Sequence, residues 1–199
     1  MKQRHRRDGD GSATPRTSQS TKNSVQVLVE AGRHSGVSRR DVARLGRAML
    51  MALELQKSEL SILLTDDDKI QRLNRLYRNI DRPTDVLSFS QRQEGDPGDA
   101  SGALLGDVVI SIPTANRQAS ERGLEVMVEV ARLLAHGLLH LLGWDHQTPA
   151  DDRRMRRETD RLCTAAATTS QGARIAPVAR ETTGGGNGQS QRGPAKGVK

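Results

Sequence analysis

Three of the five histidines of this 199-residue chain lie within eleven consecutive residues that end at His146. His136 and His140 are four residues apart, so on an α-helix they lie one turn apart on the same face. Gly143 can take the left-handed conformation that ends a helix, after which the chain can bring His146 back toward the other two. Catalytic zinc sites use three protein ligands and leave the fourth position to water. We therefore predict that His136, His140 and His146 bind one Zn²⁺ ion.

The spacing of these histidines also matches a known peptidase pattern, with one difference. In the metzincin pattern H-E-x-x-H-x-x-G-x-x-H, a glutamate directly follows the first histidine and acts as the general base. Here Gly137 occupies that position. The pattern therefore indicates a metal site, while the missing carboxylate argues against a metallopeptidase.

The elements that must position the histidines can be read from the hydrophobic periodicity. Strands are predicted at 25–29, 60–64, 86–89 and 106–112. Helices are predicted from Ser38 to about Gln56, after Asp66, from Pro113 to about Gly123, across 124–142 and after Pro149. We expect one α+β (α/β-like) domain with a four-stranded mixed sheet and about five helices.

For two of these helices, the sequence also predicts which residues face the core of the domain. The helix across 124–142 bears His136 and His140, and it is the most apolar, so it is expected to lie at the centre of the domain. The helix after Asp66 is expected to turn one set of residues inward: Ile70, Leu73, Leu76 and Tyr77. It is expected to display Asn74, Arg75 and Arg78 to solvent.

The formal net charge of +7 comes from the two ends of the chain. Residues 1–22 carry six Lys and Arg against two acids, and residues 164–199 carry five against one, which leaves the stretch between them close to neutral. Both ends lack hydrophobic periodicity. We predict disordered basic tails at 1–23 and 164–199 around one domain at 24–163. The tails either add sequence-independent affinity for nucleic acid or are simply solvated ends.

The single cysteine and the lack of long apolar segments bear on the cellular compartment. Cys163 is the only cysteine, which excludes an intramolecular disulfide and fits a reducing compartment. No apolar run is long enough to cross a bilayer, and no apolar segment follows the charged N-terminus as it would in a secretion signal. We expect a cytoplasmic protein with no membrane partner.

Three stretches together resemble the YbeY-type endoribonuclease family of bacterial rRNA maturation factors. The family's histidine motif, H-G-x-L-H-L-x-G-Y-D-H, stands here as HGLLHLLGWDH at 136–146. The stretches 77–89 and 105–110 look like its other signature segments, and the resemblance covers about residues 25 to 163. Two departures are visible: Trp144 replaces the usual tyrosine, and Asp85 stands where some members have asparagine. Neither is a predicted ligand.

The resemblance implies a zinc-dependent endoribonuclease that prefers single strands, matures the 3′ end of 16S ribosomal RNA and takes part in ribosome quality control. Its expected partner is small-subunit ribosomal RNA, with ribosomal proteins as candidate partners and no DNA. Arg78 is the matching arginine of the family, and a guanidinium suits the negative charge that develops on a cleaved phosphodiester.

Two questions stay open at the level of the sequence. The general base is either metal-activated water alone or water assisted by Asp85 or Asp145; Asp145 could instead orient a ligand imidazole or only shape the turn. The main alternative function is a non-catalytic ribosome-assembly factor with a structural zinc. A fourth protein ligand would favour that alternative, because structural zinc sites are closed.

Overall fold

The computed structural model describes residues 23–30, 36–91 and 104–169, which form nine helices and strands. In chain order these are β1 Ser24–Val29, α1 Arg39–Ala52, β2 Glu59–Thr65, α2 Asp67–Arg78, β3 Val86–Ser90, β4 Leu104–Ser111, α3 Ile112–Glu121, α4 Val126–Leu141 and α5 Pro149–Thr169. The four strands and five helices confirm the predicted α+β class. None of the helices in the described part of the chain is both long and apolar enough to span a membrane.

The sheet has the strand order β1-β2-β4-β3. Strands β1, β2 and β4 are parallel, while β3 runs antiparallel to β4 and forms one edge of this four-stranded sheet. The mixed sheet predicted from the sequence is therefore confirmed. Because β3 has a hydrogen-bonded neighbour on one side only, groups on the two faces of the sheet can approach one another around its open edge.

The two faces of the sheet bury different amounts of apolar surface. Strand residues such as Ile62, Val108 and Ile110 point to one face, where α1, α4 and α5 complete the main core. The alternate strand residues point to the other face, where Leu87 and Val109 meet Ile70 of α2 in a much smaller cluster. Eleven residues of α4 are buried, so the helix that carries the histidines is central, as predicted.

The orientation predicted for α2 is wrong at three positions. Leu76 and Tyr77 are exposed, whereas Asn74 is buried and donates from its side-chain amide to the Arg82 carbonyl oxygen at 2.8 Å. The reason is that α2 covers only the small apolar cluster, so its buried stripe is narrow. Asn74 takes a place on this stripe because the returning loop offers it a main-chain acceptor.

The domain ends later than predicted. Helix α5 continues through Thr169, past the boundary predicted at Cys163, and Ala166 is fully buried in the main core. Ala166 continues the apolar stripe formed by Met155 and Leu162. Because alanine is small and only weakly hydrophobic, the sequence pattern did not reveal this continuation. The thiol of Cys163 is partly buried, and this burial raises its pKa to about 12. The other residues of the predicted tails, 1–22 and 170–199, lie outside the described residues.

Candidate active site

The C-terminal end of α4 and the turn after it bring the three histidines together. Gly143 has φ +83°, and its N–H donates to the His140 carbonyl at 3.0 Å. The Trp144 N–H donates to the Leu139 carbonyl at 3.0 Å, which completes a Schellman turn. This turn reverses the chain, so that the ligand atoms of His136, His140 and His146 all lie within 4.8 Å of one another. The predicted convergence of the histidines is thus observed.

The ring of His140 is oriented by a main-chain carbonyl. Its Nδ1 lies 3.0 Å from the Trp144 carbonyl oxygen, which can only accept a hydrogen bond. Nδ1 therefore carries the proton, and the bare Nε2 points toward Nε2 of His136 at 3.2 Å. Two nitrogen ligands of a tetrahedral zinc ion, each at 2.0–2.1 Å from the metal, are expected about 3.3 Å apart. This pair therefore fits such an ion, and the exposed His146 needs only a small approach to complete the set.

The surroundings of His136 and His140 favour the neutral form of both rings. Burial is the largest cause that lowers the pKa of His136, to about 4, and the neighbouring His140 and His146 lower it further, while Asp85 opposes the shift. Burial also lowers the pKa of His140, again with a contribution from His146. Because only a neutral imidazole can bind a metal, the lowered pKa values keep His136 and His140 ready for an ion even below neutral pH.

We expect the metal-free protein to lose stability as the pH falls from about 6.5 to about 4. The unfolded chain takes up a proton on His136 near pH 6.5, whereas the folded chain takes it up only near pH 4. Between these values the unfolded state binds more protons than the folded state, so the free energy of unfolding falls as the pH falls. The loss of stability that His136 causes is therefore absent above pH 6.5. Urea unfolding of metal-free wild type and His136→Asn at several pH values measures this. Carboxylates other than Asp85, whose charge acts on His136, affect both proteins alike, so identical pH profiles would contradict the prediction.

Gly137 lets α4 approach the sheet closely. A Cβ atom there would lie 2.8 Å from Cγ1 of Val108, 3.0 Å from Oγ of Ser88 and 3.2 Å from Cγ2 of Val86. The Ser88 hydroxyl also donates to the Gly137 carbonyl at 3.0 Å. The position of the metzincin glutamate is therefore filled by the sheet, and no general-base side chain fits there.

Replacing Gly137 with alanine should lower the free energy of unfolding by about 1–3 kcal/mol, because the added methyl group overpacks the interface of α4 with β3 and β4. It should also weaken metal binding, since α4 carries two ligands. Gly46, in α1, is a matched control: its Cβ would also meet side-chain atoms, but these lie farther away, at 3.0, 3.3 and 3.7 Å. Chemical denaturation of both variants measures the difference. A Gly137→Ala protein as stable as Gly46→Ala would refute this account of the packing.

Arg78 reaches the histidines from the opposite side of the sheet. It is the last residue of α2, which ends at Asn79 in the left-handed conformation, and its side chain is exposed. Its positive charge is one of the causes that lower the pKa of His140, so the guanidinium lies within electrostatic range of the metal ligands. Within the described residues, Arg78 has no carboxylate in salt-bridge range. It is therefore available to an anionic group.

The two acids considered as bases make different contacts. Asp85 accepts hydrogen bonds from the Val86 N–H at 2.9 Å and from the Gln118 side chain at 3.0 Å, and its charge acts on His136. Asp145 accepts from the His146 N–H at 2.7 Å and from the side chain of Gln147. Asp145 thus shapes the turn, and the orienting role considered for it belongs to the Trp144 carbonyl. The charge of Asp85 acts on His136, and the charge of Asp145 acts on His140.

The sequence analysis missed a charged cluster on the two turns of α4 that precede His136. Glu129 is fully buried and pairs with Arg122 at 2.6 Å and with Arg132 at 2.5 Å. The positive charge of Arg132 acts on both His136 and Asp85. The spacing of 129, 132, 136 and 140 places all four on one stripe of α4, and this spacing was the available signal.

Comparison with known proteins agrees with this geometry. The family model described as "Endoribonuclease YbeY" matches residues 32–167. A protein of that name from Anaeromyxobacter sp. is 48% identical over 141 residues, which cover 71% of each chain. One from Aquifex aeolicus is 42% identical over 135 residues, which cover 68% of this chain and 87% of the relative. One from Myxococcus xanthus is 54% identical over 122 residues, or 58% of this chain, but this match spans only 40% of that protein.

A structural comparison gives the same fold. The solution structure of a Thermotoga maritima protein superposes with a TM-score of 0.51 and 21% sequence identity, and the match covers 78% of this chain and 99% of that one. At this identity the likeness concerns the fold alone. The family match, by contrast, spans most of the chain and includes the histidine turn, Asp85 and Arg78. The chain therefore belongs to the YbeY endoribonuclease family.

Proposed function

We propose that this protein is a zinc-dependent, single-strand-specific endoribonuclease that works in the cytoplasm on the 3′ end of 16S ribosomal RNA and in ribosome quality control. The observation that carries the proposal is the convergence of three imidazoles within electrostatic range of Arg78, whose guanidinium has no salt bridge among the described residues. The names of its relatives support an RNA substrate. Ribosomal RNA, and ribosomal proteins as further partners, are part of the proposal.

The donor set favours a catalytic ion over a structural one. Among the described residues, the only group of three or more His, Cys, Asp or Glu side chains placed to hold a metal is His136, His140 and His146. Structural zinc sites take four protein ligands, whereas catalytic sites take three. The exposed His146 also leaves the site open to a substrate as large as RNA. The assembly-factor alternative, with its closed zinc site, is therefore less well supported.

Each residue of the site then has a part in phosphodiester cleavage. His136, His140 and His146 would hold the ion, which supplies a Lewis acid and lowers the pKa of bound water. Arg78 would bind the scissile phosphate and stabilise the negative charge that grows on its oxygens in the transition state. Asp85, which accepts from Gln118 and whose charge acts on His136, would accept a proton during cleavage, and Asp145, whose charge acts on His140, is the second carboxylate that could do so. Gly137 leaves no room for a base of the peptidase type.

Cleavage of end-labelled RNA tests this proposal. We expect the zinc-loaded protein to cut a single-stranded RNA internally, and to leave the same sequence intact when it is annealed to its complement. A precursor of small-subunit RNA that carries a 3′ extension should be cut at that extension. Wild-type preparations that bind zinc but cut none of these RNAs, including the precursor within small-subunit particles, would overturn the proposal in favour of the assembly factor.

A further inference from the structure

The placement of the aromatic residues is unusual. The chain contains one Trp, one Tyr and one Phe. None of the three is fully buried, although aromatic side chains usually supply much of a core. Tyr77 is 62% exposed, while Phe89 and Trp144 are partly buried. All three lie on segments that also carry site residues, since Tyr77 precedes Arg78 and Trp144 lies between two of the histidines.

Only one of these rings is available to a ligand. The guanidinium of Arg154 lies 4.4 Å from the centre of the Trp144 ring, and Trp144 also packs against the main core. Phe89 packs against the small cluster under α2. Tyr77 contacts Phe89 in an edge-on arrangement, with ring centroids 4.8 Å apart at an interplanar angle of 63°. Phe89 therefore holds the Tyr77 ring in place, and most of that ring is left to solvent.

Tyr77 lies close to the residues proposed to act on RNA. It is adjacent in sequence to Arg78, whose charge acts on His140. At the end of β3, the residue after Phe89 is Ser90, and its hydroxyl lies 3.5 Å from the Leu141 carbonyl of the histidine helix. The aromatic pair and the histidines thus flank the same end of the same edge strand. A strand whose phosphate contacts Arg78 can place a neighbouring base on Tyr77.

We propose that Tyr77 is a stacking platform for an unpaired base next to the phosphate that Arg78 binds. An aromatic side chain stacks on the face of any base, and this contact is largely independent of sequence. In a duplex both faces of a base are covered by its neighbours, so only a single strand can offer a base to Tyr77. This inference rests on the proposed endoribonuclease function and assigns its single-strand preference to one residue.

Removing single bases from the substrate tests the platform. A set of single-stranded RNAs, each with one abasic nucleotide at a different position near the cut, is assayed with zinc-loaded wild type, Tyr77→Leu and Tyr77→Phe. For wild type we expect one position at which loss of the base lowers kcat/KM about tenfold, as loss of one stacking contact does. Tyr77→Leu should show that loss with the intact RNA and no further loss with the abasic RNA. Tyr77→Phe keeps the ring and should behave as wild type.

Leu76→Ala serves as the matched control, because Leu76 is 70% exposed on the same turn of α2 but has no ring. It should cut the intact RNA as fast as wild type. Equal losses in Leu76→Ala and Tyr77→Leu would overturn the inference and indicate a general apolar surface. So would a wild-type enzyme that cuts RNA but tolerates abasic nucleotides at every position. A wild type that cuts no RNA would instead refute the proposed function on which the inference rests.

Discussion

Replacing His140 with alanine should remove both the bound metal and the nuclease activity. His140 supplies the nitrogen that is already held in place, with its Nδ1 against the Trp144 carbonyl and its Nε2 toward His136. Loss of a residue that only supports a ligand costs 10- to 100-fold in metal affinity or activity, so loss of the ligand itself should cost more than about 100-fold in affinity. Cleavage at low zinc concentration should become undetectable.

The His140→Ala protein should still fold, because the ring is only half-buried and lies at the end of α4. Metal content by atomic absorption, circular dichroism and RNA cleavage are measured on the same preparation. Replacing Glu121, an exposed side chain at the end of α3, with alanine serves as the control and should leave metal content and cleavage unchanged. A folded, metal-free His140→Ala protein that still cuts RNA would show that the histidine site is not the nuclease site.

Replacing Arg78 with alanine should separate catalysis from metal binding. The guanidinium has no salt bridge within the described residues and does not contact a ligand directly, so metal content and stability should stay unchanged. The turnover rate should fall about 10²- to 10³-fold, the usual cost of removing one group that stabilises transition-state charge. Arg78→Lys should recover only part of the rate, because an ammonium cannot make the two parallel hydrogen bonds of a guanidinium.

Arg75 provides the matched control for this prediction. It lies one turn earlier on α2, is similarly exposed and makes only a long ion pair with Asp81, at 3.8 Å, which should contribute little to stability. Arg75→Ala should therefore leave the turnover rate close to that of wild type. Single-turnover kinetics with saturating enzyme distinguish loss of chemistry from loss of binding. If the two alanine variants lost the same amount of activity, Arg78 would be only one of several surface charges that attract RNA.

The metal site was predictable because the residues that form it lie close together in the sequence. The spacing of His136 and His140 follows from the helical repeat, and Gly143 marks the turn that returns His146. The strands and helices were also predictable, since each carries its own hydrophobic period. These features depend on residues that are close together in the sequence.

The features that were missed depend on distant partners. Asn74 is buried because the Arg82 carbonyl lies beside it, and Tyr77 is exposed because α2 covers only a small cluster. In the sequence, Gly137 was notable only because it replaces the catalytic glutamate of the metzincin pattern. The structure shows that the missing side chain at Gly137 lets α4 pack closely against Val108 of β4. The orienting group for His140 is a backbone carbonyl, and every residue has one, so no sequence pattern can single it out.

The most direct test of the central claim is a zinc titration of the metal-free protein, followed by cleavage of single-stranded RNA. If His136, His140 and His146 form one catalytic centre, activity should be absent after chelation, rise in proportion to added zinc and level off at about one ion per chain. The same titration of His140→Ala should stay flat. Cleavage that survives complete removal of metal, or that needs more than one ion per chain, would contradict the account.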